Sequence, residues 1–208
     1  MANYNAQLAS FLRIEMPFKP LFSAMAIALT IAALLPYIRA ILQGTVQAHV
    51  FSWVIWGSTT FVVFLAQIAD RGGVGAWPIG VSGSLTILVA FLAYRRRGDL
   101  SITHSDWCFF AVALSALPLW YVTADPFWAV VLLTVVDLLG FGPTLRKAYA
   151  QPYSESPGFF GLFALRNLLV VSALEHYSPT TLLFPVAIAV ACVLLMALIA
   201  LRRRAVTA

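Results

Sequence analysis

Two charged side chains stand in apolar surroundings, Asp137 within LLTVVDLLGF and Arg166 within LFALRNLLVV. A carboxyl in such a setting can take up and release a proton. A guanidinium beside a carboxamide, as in Arg166-Asn167, suits the planar, two-pronged recognition of a carboxylate or another anion. The two charges can pair as a structural ion pair, or protonation of Asp137 can free Arg166 for a solute. Trp53 and Trp56 share a helix face at a spacing of three, fit to stack on a sugar ring or a heterocycle. Their other reading is an interfacial aromatic belt, which suits Trp53 near its helix start better than the deeper Trp56. Thr60, Ser82 and Ser84 are neutral hydroxyl candidates for the same solute site. Gly80 and Gly83, next to the serines, equally suit a close approach of helices.

No enzyme signature accompanies these residues. A paired-histidine zinc motif, a glycine-rich phosphate loop and a serine nucleophile elbow are all missing from the sequence. Neither a catalytic residue, a cofactor nor a metal is therefore expected. RGGVGAWP, residues 71 to 78, lacks the lysine of a phosphate loop and reads as a flexible turn. Glu175-His176 reads as a solvated loop edge or a gate, His49 and His104 as loop histidines, and Cys108 and Cys192 as small apolar fillers.

Composition dictates the elements that must position these groups. Of 208 residues, 62% are hydrophobic and 10% charged, with mean hydropathy +0.90. Soluble domains are roughly half apolar and a quarter charged, so an all-α membrane protein is expected. Runs of about 20 apolar residues cross a bilayer, and seven candidates stand at 20–42, 50–69, 76–94, 107–122, 127–148, 157–176 and 180–201. The start lacks the basic stretch, short apolar core and cleavage site of a signal peptide. Asp137 lies about ten residues into the fifth run and Arg166 about nine into the sixth, which at about 1.5 Å per residue puts both near mid-bilayer. An unpaired charge there costs from about 3 kcal/mol upward, so such groups face an interior or a cavity.

The net charge of +5 does not point to nucleic acid, because its positions are topological. Arg39, Arg95, Arg96, Arg97, Arg146, Lys147, Arg202, Arg203 and Arg204 follow runs one, three, five and seven. Only Arg13, Lys19 and Arg71 fall on the other side. The positive-inside rule then predicts an N-terminus outside and a C-terminus in the cytoplasm, in an inner or plasma membrane. Arg39 and Arg146 serve as cytoplasmic anchors. The triplets 95–97 and 202–204 read as stop signals, with an anionic-lipid site as the alternative.

A repeat organises the chain. Pro36-x-x-Arg39 recurs as Pro143-x-x-Arg146, Trp77-Pro78 as Phe184-Pro185, and Arg95–Arg97 as Arg202–Arg204, all at an offset of 107 residues. Val63 and Val170, Ala66 and Ala173, and Leu88 and Leu195 share that register. The expected plan is two parallel three-helix repeats, 20–97 and 127–204, joined by a linker at 98–126 that carries the fourth helix. A segment 1–19 outside and a tail 205–208 complete it. In this register Thr30 answers to Asp137, and Thr59-Thr60 to Arg166-Asn167, so the predicted site is polar-neutral on one side and charged on the other. Parallel repeats about an axis along the membrane normal are a transporter architecture with the solute at the repeat interface.

Proline inside a helix removes a backbone bond at a cost of about 3 kcal/mol. Pro36 and Pro143, in equivalent places of two repeats, are candidate hinges. Pro78 and Pro185 read as helix starts.

Three-plus-one-plus-three spans, an outside N-terminus, a proline near the cytoplasmic end of each repeat's first helix, and SWVIWG at 52–57 resemble the SWEET and PQ-loop superfamily. The glutamine of that family's Pro-Gln pair is Tyr37 and Thr144 here. The resemblance implies that the third helix of each repeat sits between the first and second, which would set Asp137 and Arg166 across a cavity from one another. It also implies alternating-access movement of a small polar solute, sugar-like or another small metabolite, with Asp137 as a proton-coupling group. A non-transporting receptor or trafficking protein on the same scaffold is the alternative. The expected partners are the solute and the lipid bilayer. With both repeats in one chain a monomer suffices, and a homo-oligomer stays open.

Overall fold

The structure, a computed structural model, describes residues 18–45, 48–96, 100, 104–153 and 157–207. Arg13, Arg97 and the side chains of Pro143, Arg146 and Lys147 lie outside the described residues. Each of the seven apolar runs is a helix: α1 Phe18–Leu42, α2 Val50–Ala69, α3 Trp77–Arg95, α4 His104–Thr123, α5 Pro126–Ala150, α6 Pro157–Ala173 and α7 Pro179–Thr207, with a 3-10 turn at Gly73–Gly75. Helix is the form in which a segment satisfies its own N–H and C=O groups where no water reaches them. Four helical stretches, Phe18–Leu42, Val50–Ala69, Gly73–Arg95 and Pro179–Val206, are long and apolar enough to cross a bilayer. The chain is accordingly an integral membrane protein by length and composition. The apolar parts of α4, α5 and α6 are shorter.

Within each predicted repeat the third helix packs between the other two, α3 against α1 and α2, α7 against α5 and α6. Across the repeats α1 packs on α6 and α2 on α5. These contacts close a ring, α1–α3–α2–α5–α7–α6, with α4 outside it against α5 and α2. The α1/α6 and α2/α5 seams lie across the ring from one another. Residues 107 apart are buried alike: Ala26 with Leu133, Ile41 with Ala148, Val63 with Val170, and Ala66 with Ala173. Glycines allow α2 and α3 to approach closely, since a Cβ on Gly83 would stand 2.9 Å from the Phe61 backbone nitrogen.

The prolines differ in their place within the helices. α1 runs unbroken through Pro36, which faces outward, and position 143 lies inside α5. Pro78 is the second residue of α3, as the sequence suggests. Pro185 is not a helix start, because Ser178 begins α7 seven residues earlier with a capping box: the Thr181 N–H donates to Ser178 Oγ at 3.2 Å and the Ser178 N–H to Thr181 Oγ1 at 3.0 Å. The carbonyl four residues before a proline loses its usual donor. Gln67 Nε2 donates to Thr181 O at 2.9 Å, four before Pro185, and Ser23 Oγ to Val74 O at 2.7 Å, four before Pro78. Pro78 stands second in α3, where no helical bond is lost, so only the Gln67 bond fills a vacancy that a proline leaves. Ser178→Ala removes the cap and is expected to lower stability by about 1 kcal/mol, seen as a lower melting temperature in detergent.

Candidate functional site

The ring encloses a cavity of about 370 Å³, within the range of roughly 300–1,000 Å³ typical of small-ligand sites. Seven aromatic side chains line it, Trp53, Trp56, Phe141, Phe159, Phe160, Phe163 and Phe184. Three lining pairs are 107 residues apart: Leu34 with Phe141, Trp53 with Phe160, and Trp56 with Phe163. Polar groups on the wall are Thr60, Ser82, Thr86, Thr144, Asp137 and Arg166. Thr86 returns its hydroxyl to Ser82 O in its own helix at 2.8 Å.

Arg166 is buried in α6 at the α1/α6 seam. Its Nε donates to Thr30 Oγ1 of α1 at 3.1 Å, its Nη1 to Asn167 Oδ1 at 3.0 Å, and its Nη2 to Pro78 O of α3 at 2.8 Å. The planar fork is thereby fixed by three neutral acceptors on three helices. Thr30 passes its own hydroxyl proton to Ala26 O at 2.8 Å. At the α2/α5 seam Asp137 accepts from Thr59 Oγ1 at 3.1 Å. Among the described residues no ion pair joins Asp137 to Arg166. The two contacts, Thr30 with Arg166 and Thr59 with Asp137, are equivalents of one another at the 107-residue offset. The charges therefore sit at opposite seams of one chamber.

Two expected site residues lie elsewhere. Asn167 is buried but off the cavity wall: its Oδ1 accepts from Arg166 and its Nδ2 donates to Phe163 O at 2.8 Å, so it positions the guanidinium. Ser84 faces outward and gives its hydroxyl to Gly80 O at 2.9 Å. Trp56, Thr60 and Ser82 do line the cavity. Phe141, the Phe159 to Phe163 aromatics, Thr86 and Thr144 were not anticipated. The recurrence of an aromatic at Trp56 and Phe163, and at Trp53 and Phe160, was a usable signal.

The cavity is lined by α1 and α5 toward their C-termini and by α2 and α6 toward their N-termini, while Ser82 of α3 and Phe184 and Ile188 of α7 line it from their N-terminal halves, so it lies at mid-bundle; one end of the bundle carries Arg39, Arg95 and Arg202 to Arg204. At this basic end α7 is tied down, Arg202 Nε donating to Tyr149 O at 3.1 Å and Arg203 Nε to Pro152 O at 2.9 Å.

The opposite end is capped. There the 71–78 segment is no free turn but a strap against the α6–α7 connection. The Val74 N–H donates to Glu175 Oε1 at 3.2 Å, the Glu175 N–H to Gly72 O at 3.1 Å, and Ser178 Oγ to Asp70 Oδ2. His176 Nδ1 lies 3.0 Å from Asp70 O. Glu175-His176 thus joins the α6–α7 connection to the α2–α3 connection. Below the strap Ala26, Val63, Ala66, Ile79, Val170 and Ala173 leave no exposed surface.

Comparison with protein-family models, with curated proteins and with solved structures returns no match.

Proposed function

We propose that the chain is a transporter of the SWEET and PQ-loop type, a duplicated three-helix bundle with a linker helix, that moves a small polar solute by alternating access. The observation that carries this reading is a central cavity ringed by six helices, with one end of the bundle held shut by a strap. Every element of the plan serves that geometry. The six-helix ring surrounds a solute path, and α4 stands aside as the linker between repeats. The positive-inside rule assigns the basic end to the cytoplasm and the strap to the outside of an inner or plasma membrane. In this arrangement the cavity faces inward, and the outward-facing state forms when the strap parts and the basic end closes.

Pro36 and residue 143 lie two positions beyond the wall residues Leu34 and Phe141. They are placed to bend the inner ends of α1 and α5 over the cavity. Asp137, on the wall, is the group through which a proton gradient acts.

Reconstituted protein is expected to accumulate one of a panel of labelled sugars, amino acids and vitamin precursors in liposomes, faster with a pH gradient. Tight binding of a ligand with no flux in either condition makes the protein a receptor on this scaffold and ends the transporter reading.

A further inference from the structure

The cavity holds one carboxyl and one guanidinium, and the protein keeps them apart. A purely structural pair is most stable in contact, since two opposite charges in a poorly polarisable interior attract strongly at short range. Here each is held by neutral partners instead. Asp137 takes one hydroxyl from Thr59, and Arg166 takes Thr30 Oγ1, Asn167 Oδ1 and Pro78 O. A guanidinium has five N–H groups, and these three bonds leave one on each terminal nitrogen. Both side chains line the cavity, and their seams are opposite in the helix ring.

Between them the wall is aromatic, with Trp56 and Phe163 in equivalent places of the two repeats. A sugar can use Thr60, Ser82 and Thr144 on the wall but brings no charge to either Asp137 or Arg166. An organic cation would leave Arg166 uncompensated, and an organic anion would do the same to Asp137. With Asp137 ionised, a solute with both charges satisfies both groups at once, and the aromatic rings then accept its apolar part and favour its ammonium over their faces.

On the premise that this cavity is the solute site of the transporter proposed above, we infer that its ligand is a small zwitterion with an apolar side chain, its carboxylate on Arg166 and its ammonium on Asp137. The juxtaposition of two unpaired opposite charges across one aromatic chamber is the specificity device.

The test uses the full chain in detergent, titrated by calorimetry and thermal shift with L-phenylalanine, L-leucine, phenethylamine, 3-phenylpropionate and glucose. L-phenylalanine or L-leucine is expected to bind, and the two single-charge analogues at least about tenfold more weakly. In Asp137→Asn the advantage of L-phenylalanine over 3-phenylpropionate should vanish while 3-phenylpropionate binding is kept. In Arg166→Lys, which retains a positive charge, the advantage of L-phenylalanine over phenethylamine should shrink. Failure of both amino acids to bind overturns the inference. So does phenethylamine or glucose binding as tightly as the zwitterion, or a preference that Asp137→Asn leaves intact. The transporter reading fails separately: zwitterion binding without liposome flux removes transport and leaves the ligand class standing. Flux of a neutral solute unaffected by Asp137→Asn does the reverse.

Discussion

Arg166→Ala should abolish solute uptake while leaving the helical bundle folded. Two opposing effects on stability decide the second half of that statement. Removing the guanidinium leaves Asn167 Oδ1 without its donor, at about 1–3 kcal/mol when buried, while Thr30 keeps its bond to Ala26 O and Pro78 O stays within the first turn of α3. It also relieves the desolvation of a charge with no ion-pair partner among the described residues, several kcal/mol in its own right. The two nearly offset, so melting temperature in detergent is expected to move by only a few degrees. Nothing offsets the loss at the ligand, where truncating a buried charge partner costs about 2–5 kcal/mol, or roughly 30- to 5,000-fold in affinity. Uptake in liposomes, read beside circular dichroism and size-exclusion profiles, separates the outcomes. Full uptake in the variant removes Arg166 from the site, and collapse of the fold would make it a structural hub with no demonstrable ligand role.

Much of the bundle was legible because the 107-residue register is carried by residues that chance does not align easily, Pro36 with Pro143 and the two arginine triplets. Register establishes equivalence, not contact. It paired Thr30 with Asp137 and Thr59 with Arg166, yet the bonds formed are the crosswise ones, Thr30 to Arg166 and Thr59 to Asp137. Seam geometry decides that, and seams are built from residues over a hundred positions apart. Asn167 and Ser84 were misplaced for a simpler reason: neighbours one or two positions apart do not share a helix face, so Arg166 and Ser82 could not both carry their neighbours into the cavity.

The phenylalanines of α6 escaped notice because lipid is as apolar as a protein core, and hydrophobicity does not tell an inward ring from an outward one. The α7 start was readable. Ser178-Pro179-Thr180-Thr181 has a cap and a proline at the first helical position, a signal that hydrophobicity alone does not carry.

Gly75→Val is expected to open the capped end. A Cβ at Gly75 would stand 2.5 Å from the Leu174 backbone nitrogen and 2.6 Å from its Cα. Backbone cannot swing aside as a flexible side chain does, so the strap or the end of α6 must move bodily. Two of the strap's bonds, Val74 to Glu175 and Glu175 to Gly72, flank this contact, and a shift of that size breaks them together. Overpacking of this kind costs about 1–3 kcal/mol, which corresponds to roughly a 5- to 150-fold rise in the open population at that end.

The protein carries its own reporter. Cys192 lines the cavity and Cys108 is exposed, and these are the chain's two cysteines. In a Cys108→Ser background, a membrane-impermeant maleimide applied from the capped side should label Cys192 slowly. Adding Gly75→Val should speed that labelling by about tenfold or more, while labelling from the basic side changes little. Gly142→Val is the matched control, since nothing lies within 4 Å of a Cβ placed there. Equal labelling from both sides in the unmodified strap would contradict a capped cavity. An unchanged rate in Gly75→Val would mean that the closure lies deeper, in the buried Val63, Ala66, Val170 and Ala173 layer.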